Sequence, residues 1–141
     1  MNKDRFTGTW RLASFELRSA DGQVTYPFGE EPVGYIMYNQ DGFMSVTFMA
    51  SERQKFASND PQKGTVEEKS AAMDTFFSYC GRYEVQDNKV VHHIEVSLFP
   101  NWTGKKQERM YKFEGGRLKL STPPFQVGGF EQTAHLIWER I

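Results

Sequence analysis

A chain of 141 residues with a net charge of −1 has room for one domain over residues 1–141 and for no second core of any size. Its 17 Lys and Arg are interspersed with 18 Asp and Glu, so no basic block neutralises a phosphate backbone and nucleic acid is excluded as a partner. The single cysteine, Cys80, precludes an internal disulfide. No run reaches the roughly 18 apolar residues of a membrane span or the shorter core of a secretion signal, so a reducing, cytoplasmic setting is expected, with no membrane partner.

Turn signals punctuate the chain at Asp21-Gly22, Asp41-Gly42, Asp87-Asn88 and Gly115-Gly116, pairs that tolerate the positive φ of tight hairpins. In chain order they predict strands at 8–18, 23–26, 33–39, 43–49, 77–86, 89–98, 105–114, 117–121 and 132–140. Residues 50–76 break this rhythm with good helix formers. There Thr65-Val66-Glu67-Glu68 reads as a capping box, and Val66, Ser70, Met73 and Phe77 follow helical spacing. A shorter helix near 50–57 is expected before Ser58-Asn59-Asp60-Pro61. The fold class expected is all-β, an antiparallel up-and-down barrel of about eight to ten strands. A helical excursion at about 50–76 should pack on it, over one mouth, as a lid or as a structural crossover. Aromatics make up 15% of the chain, with 12 Phe, a composition that suits a ring-lined interior or an ordinary aromatic core.

Hairpin geometry assigns faces, because cross-strand partners share a side of the sheet. About Asp87-Asn88, Tyr79, Gly81, Tyr83 and Val85 face inward with Val90, His92, Ile94, Val96 and Leu98. Ser78, Cys80, Arg82 and Glu84 then face outward with Val91, His93, Glu95 and Ser97. About Gly115-Gly116, Phe113 pairs with Leu118, Tyr111 with Leu120 and Arg109 with Thr122, which sends Gln107 and Arg109 inward. The first strand has no clean face: Trp10, Leu12, Ser14 and Glu16 alternate with Ala13, Phe15 and Leu17, and both sets are mixed.

Several segments carry a resemblance. Gly8-Thr9-Trp10 opens the first strand as a Gly-x-Trp motif and Trp138-Glu139-Arg140 closes the last. Between them lie Tyr26-Pro27-Phe28-Gly29, Gly81-Arg82-Tyr83-Glu84-Val85 and Pro100-Asn101-Trp102-Thr103-Gly104. Over nearly its whole length the chain resembles the lipocalin-like domain proteins of bacteria and fungi, small unsecreted barrels. The resemblance implies a guanidinium, that of Arg140, stacked on Trp10 at the closed end. It also implies an enclosed small molecule, and related barrels in biosynthetic pathways include both binders and cofactor-free cyclases or isomerases. If Trp10 points inward as in lipocalins, Ser14 and Glu16 join the interior.

The candidate ligand-binding residues are therefore Tyr79, Tyr83, His92, Gln107, Arg109, Tyr111, Ser14 and Glu16. A buried arginine needs a partner, and Glu16 is the expected one. The leading expectation is a barrel that binds a hydrophobic or amphipathic metabolite, as a monomer or homodimer. The alternative is a cofactor-independent cyclase or isomerase acting on a polyketide-like or terpenoid molecule, with His92 or Glu16 as base and Arg109 stabilising an oxyanion. A satisfied hydrogen-bond network that only seals the barrel uses the same residues. The histidines at 92, 93 and 135 lack zinc-ligand spacing, and neighbours on opposite faces cannot share an ion, so neither metal nor other cofactor is expected.

Overall fold

The computed structural model describes residues 2–141. A short helix α1 (Asn2–Phe6) precedes β1 (Gly8–Ser19), β2 (Val24–Thr25), β3 (Val33–Tyr38) and β4 (Phe43–Met49). After helix α2 (Val66–Asp74) come β5 (Phe76–Val85), β6 (Lys89–Ser97), β7 (Lys106–Glu114) and β8 (Arg117–Ser121). β9 (Phe125–Val127) and β10 (Phe130–Arg140) end the chain. The sheet order is β2-β1-β3-β4-β5-β6-β7-β8-β10-β9, and pairing of β1 with β10 closes it into an eight-stranded antiparallel barrel with β2 and β9 as short additions. Closure leaves the long strands without open edges.

Where alternation is regular, burial follows it. On β3 and β4, Ile36, Tyr38, Met44, Val46 and Phe48 point into the core while Tyr35 and Met37 face out. Two bulges break the alternation elsewhere. On β1 the register passes from Leu12 opposite Trp138 directly to Ser14 opposite Ile137, leaving Ala13 as an extra residue. Trp10 and Leu12 point inward before it, and Phe15 and Leu17 do so after it. The mixed faces of the first strand are thus two clean half-faces joined at a bulge.

The second bulge lies on β6. Gly81 pairs with Ile94 but Cys80 pairs with Val96, so Glu95 is the extra residue. Val96, expected inside, is instead 64% exposed. Glu95 remains outside, 3.7 Å from Arg82. Val91 keeps its outward register between Glu84 and Glu108, yet it is buried there. A Cβ on Gly81 would lie 1.9 Å from the carbonyl oxygen of His93, a backbone atom that cannot swing aside. Gly81→Ala should therefore cost about 1–3 kcal/mol, measured as a shift in the urea midpoint without a change in slope.

The closed end is plugged by α1. Phe6, fully buried, meets the rings of Tyr38, Tyr111 and Phe113 edge-on at 5.1, 4.9 and 5.0 Å. The indole Nε1 of Trp10 donates to the Phe6 carbonyl at 2.8 Å. Arg140 lies over the Trp10 ring at 4.1 Å and donates to the Thr7 carbonyl at 2.8 Å, the stack expected of Trp10 and Arg140. Gly8 has φ +127, and a Cβ there would approach Arg140 Nη1 to 2.7 Å, so the glycine of the motif makes room for the cation.

The capping box forms as the sequence predicts, Glu68 N donating to Thr65 Oγ1 and Thr65 N to Glu68 Oε1. The apolar stripe does not act as one: Val66 and Met73 are exposed, α2 buries no side chain, and Phe77 belongs to β5. Polar contacts hold the segment instead. Arg53 donates to the Ala72 carbonyl and to Thr75, and Glu68 also accepts from Ala57 N. Residues 50–57 form no helix; Arg53 there reaches the Ala72 carbonyl at the C-terminal end of α2, and the N–H of Ala57 goes to the Glu68 carboxylate.

Candidate functional site

A cavity of about 500 Å³ occupies the half of the barrel away from α1. Its wall is largely aromatic, with Phe15, Phe28, Phe48, Phe77, Trp102 and Trp138, and is completed by aliphatic side chains such as Ile36, Leu120 and Leu136. The half-face of β1 beyond its bulge supplies Phe15 and Leu17, while unbulged β10 supplies Ala134, Leu136 and Trp138. Residues from three connections complete the lining: Pro27 and Phe28, Phe99 and Trp102, and the β9 segment Phe125–Val127. Phe28 packs on Phe15 and Phe48 at 5.2 and 4.9 Å between ring centres. No residue of 50–76 lines the cavity, so the helical excursion does not cover its mouth.

Of the residues singled out from sequence, Tyr79, His92 and Arg109 line this space. The other five lie elsewhere. Tyr83 belongs to the barrel floor, donating to the Asn39 carbonyl at 2.8 Å and packing on Tyr38. Tyr111 is tied down under α1, where its hydroxyl lies 3.0 Å from the Gln86 carbonyl and accepts from Asn2. Gln107 lies beside Arg109, its Oε1 accepting from Nη1 at 3.3 Å, and lines an adjoining surface groove that shares Trp102, Arg109 and Phe125 with the cavity. Ser14 and Glu16 point outward because the Ala13 bulge reverses their side of the sheet. Glu16 pairs with Arg18 on that outer face, so the expected Glu16–Arg109 pair does not form.

His92, 1% exposed, is held through both ring nitrogens. Tyr38 Oη lies 2.7 Å from Nε2, and Tyr79 Oη lies 2.7 Å from Nδ1. Burial, reinforced by nearby Arg109, keeps its basicity well below that of an ordinary histidine, so the ring is neutral at pH 7. A neutral imidazole has one donor and one acceptor nitrogen, so one tyrosine donates to it and the other accepts from it. Burial also raises both phenol pKa values, that of Tyr79 against the pull of Arg109. Tyr38 was not singled out from the sequence, although the alternation Gly34, Ile36, Tyr38 carries the signal.

Arg109 is 9% exposed. It donates to Gln107 Oε1 and to the Glu108 carbonyl, and lies 5.8 Å from the centre of the Trp102 ring. No carboxylate pairs with it among the described residues, and no Asp or Glu lines the cavity. Thr122 and Gln126 complete its polar lining. Among the described residues there is no cluster of three or more His, Cys, Asp or Glu arranged to hold a metal ion, and no helix is long and apolar enough to cross a membrane.

The profile of the family described as "Lipocalin-like domain" matches residues 7–141, from the turn before Gly8-Thr9-Trp10 through Arg140. The chain belongs to the lipocalin-like domain family. A 4'-hydroxy-3'-methoxypropiophenone carrier protein of Aspergillus oryzae is 37% identical to it over 99 residues, 64% of this chain and 85% of that one. A crystal structure of a lipocalin-like protein from Bacteroides uniformis superposes with a TM-score of 0.50 at 12% identity, covering 96% of this chain and 98% of that one. At that identity the shared property is the fold. The lipocalin-like barrel accounts for the two ends described above, one sealed around Trp10 and Arg140 and the other hollow.

Proposed function

We propose that this barrel binds a small aromatic molecule of aryl-ketone size and releases it chemically unchanged. The observation that carries this is the cavity itself, about 500 Å³ with a wall of aromatic and aliphatic side chains and a few convergent polar groups, the usual make-up of a small-molecule site. The fungal relative named as a carrier of a hydroxylated, methoxylated aryl ketone supports the same ligand class. Arg109 would orient the ligand's oxygen atoms, beside the Tyr79 hydroxyl that His92 holds in place. A cyclase or isomerase reading gains less support. Both nitrogens of His92 are engaged by tyrosines, which leaves no free lone pair for a base, and no carboxylate lines the cavity to replace it.

Titration calorimetry with 4'-hydroxy-3'-methoxypropiophenone should show one site per chain, and mass spectrometry should recover the compound unaltered. Ala134, buried and lining the cavity, offers a control: Ala134→Leu narrows the space and should weaken binding while circular dichroism stays that of a folded barrel. Absence of binding by this and related aryl ketones sinks the proposal. Conversion of the ligand into another compound would establish the enzymatic reading in its place.

A further inference from the structure

Among the described residues, the cavity is lined by one cation, Arg109, and by no carboxylate. Arg109 is more than nine-tenths buried, an arginine stays charged at any physiological pH, and its protein hydrogen bonds go to the neutral oxygens of Gln107 and Glu108. Glu108, next to it in sequence, pairs with Lys89 at 3.0 Å, and Glu16, the partner expected from the sequence, pairs with Arg18 on the outer face. The rest of the polar lining is uncharged, with His92 neutral and Tyr79 protonated. A buried charge left without a counter-charge is unfavourable, and water-excluding aromatic walls sharpen its demand for one.

We propose that the cavity takes its ligand as a monoanion, a planar aromatic molecule whose single charged oxygen lies against Arg109. This rests on the binding reading above and specifies the form in which the ligand is held. An acyl phenol meets the description as its phenolate, because a conjugated para carbonyl spreads the negative charge along a ring the aromatic wall accepts. An aromatic carboxylate of similar size presents the same charge from another source. The Trp102 ring beside the guanidinium gives the anion a flat surface to stack on, and in the His92 tautomer whose Nδ1–H donates to Tyr79 the Tyr79 hydroxyl is a second donor. A dianion would exceed the one cation available, and a neutral ether would leave Arg109 unbalanced.

The test compares 4'-hydroxy-3'-methoxypropiophenone with its 4'-O-methyl ether, which cannot ionise. Absorbance titration of the bound phenol should show its ionisation displaced to lower pH by at least about one unit. Arg109→Met should abolish the displacement and weaken phenol binding roughly tenfold or more, while changing affinity for the ether little. The apo Arg109→Met variant should melt no lower than wild type, since an unbalanced charge is removed. 4-Methoxybenzoate supplies the other arm, and its binding should depend on Arg109 in the same way. If ether and phenol bind equally and the phenol ionises as in water, the monoanion proposal fails while the binding reading survives. If neither binds, both fail. A large fall in apo melting temperature for Arg109→Met would mark Arg109 as structural and overturn the monoanion proposal.

Discussion

Replacing Trp10 with alanine is expected to lower stability by about 3–5 kcal/mol, which for a chain of this size drops the melting temperature by roughly 12–20 °C. Trp10 is 2% exposed and joins three parts of the closed end. Its Nε1 holds the carbonyl of Phe6, its face carries Arg140, and its ring packs against Phe113 at 6.1 Å. Truncation opens a cavity and strands the Phe6 carbonyl, so the plug that covers Tyr38, Tyr111 and Phe113 loosens with it. Arg140→Ala should cost less, about 1–2 kcal/mol, because the cation–π stack and carbonyl hydrogen bonds of an exposed arginine are individually modest. Trp10→Phe should fall between them, keeping a ring but losing the Nε1 bond. Urea denaturation followed by far-ultraviolet circular dichroism separates the three. A loss below about 1 kcal/mol for Trp10→Ala would contradict this account of the closed end. Trp10 does not line the cavity, so ligand affinity of the folded fraction should stay close to wild type.

The parts of this architecture legible in the sequence are those governed by local rules. The hairpins at Asp87-Asn88 and Gly115-Gly116 impose pairings such as Tyr83 with His92 and Phe113 with Leu118, and these place His92 and Arg109 inside. The capping box at Thr65 follows from a short motif, whereas the Trp10–Arg140 stack is implied only by the family resemblance. Alternation carried past a bulge gives the wrong answer. Ala13 reverses the outer half of β1 and sends Glu16 outside, while Glu95 reverses the end of β6 and sends Val96 outside. An inserted residue has no composition of its own, and only the pairing of the neighbouring strand reveals it. The engagement of His92 by Tyr38 depends on contacts 54 residues apart, beyond any hairpin argument. The plug by Phe6 depends on rings at 38, 111 and 113 in the same way.

His92→Leu tests the other buried junction, and its expected effect depends on pH. Near pH 7 the substitution should cost about 2–5 kcal/mol, because the hydroxyls of Tyr38 and Tyr79 each lose a buried partner worth about 1–3 kcal/mol and the leucine offsets part of that. In the unfolded chain a histidine takes up its proton near pH 6.5, whereas folded His92 does so only well below that, chiefly through burial and then through Arg109. Above pH 6.5 both states are neutral and this group makes no contribution to the pH dependence. As the pH falls below 6.5 the unfolded chain binds a proton that the folded one refuses, so wild-type stability declines by up to ~1.4 kcal/mol per pH unit until the folded-state value is reached. His135, shifted in the same direction by partial burial, and the exposed carboxylates are present in both proteins, so their titration cancels in the difference. The stability gap between wild type and His92→Leu should therefore narrow as the pH falls from about 6.5 to 5, read from urea midpoints at each pH. A constant gap would mean that His92 takes up its proton in the folded barrel just as in the unfolded chain, which its burial beside an unbalanced arginine opposes. Arg109→Met removes part of that opposition, so in that background the same gap should narrow less steeply.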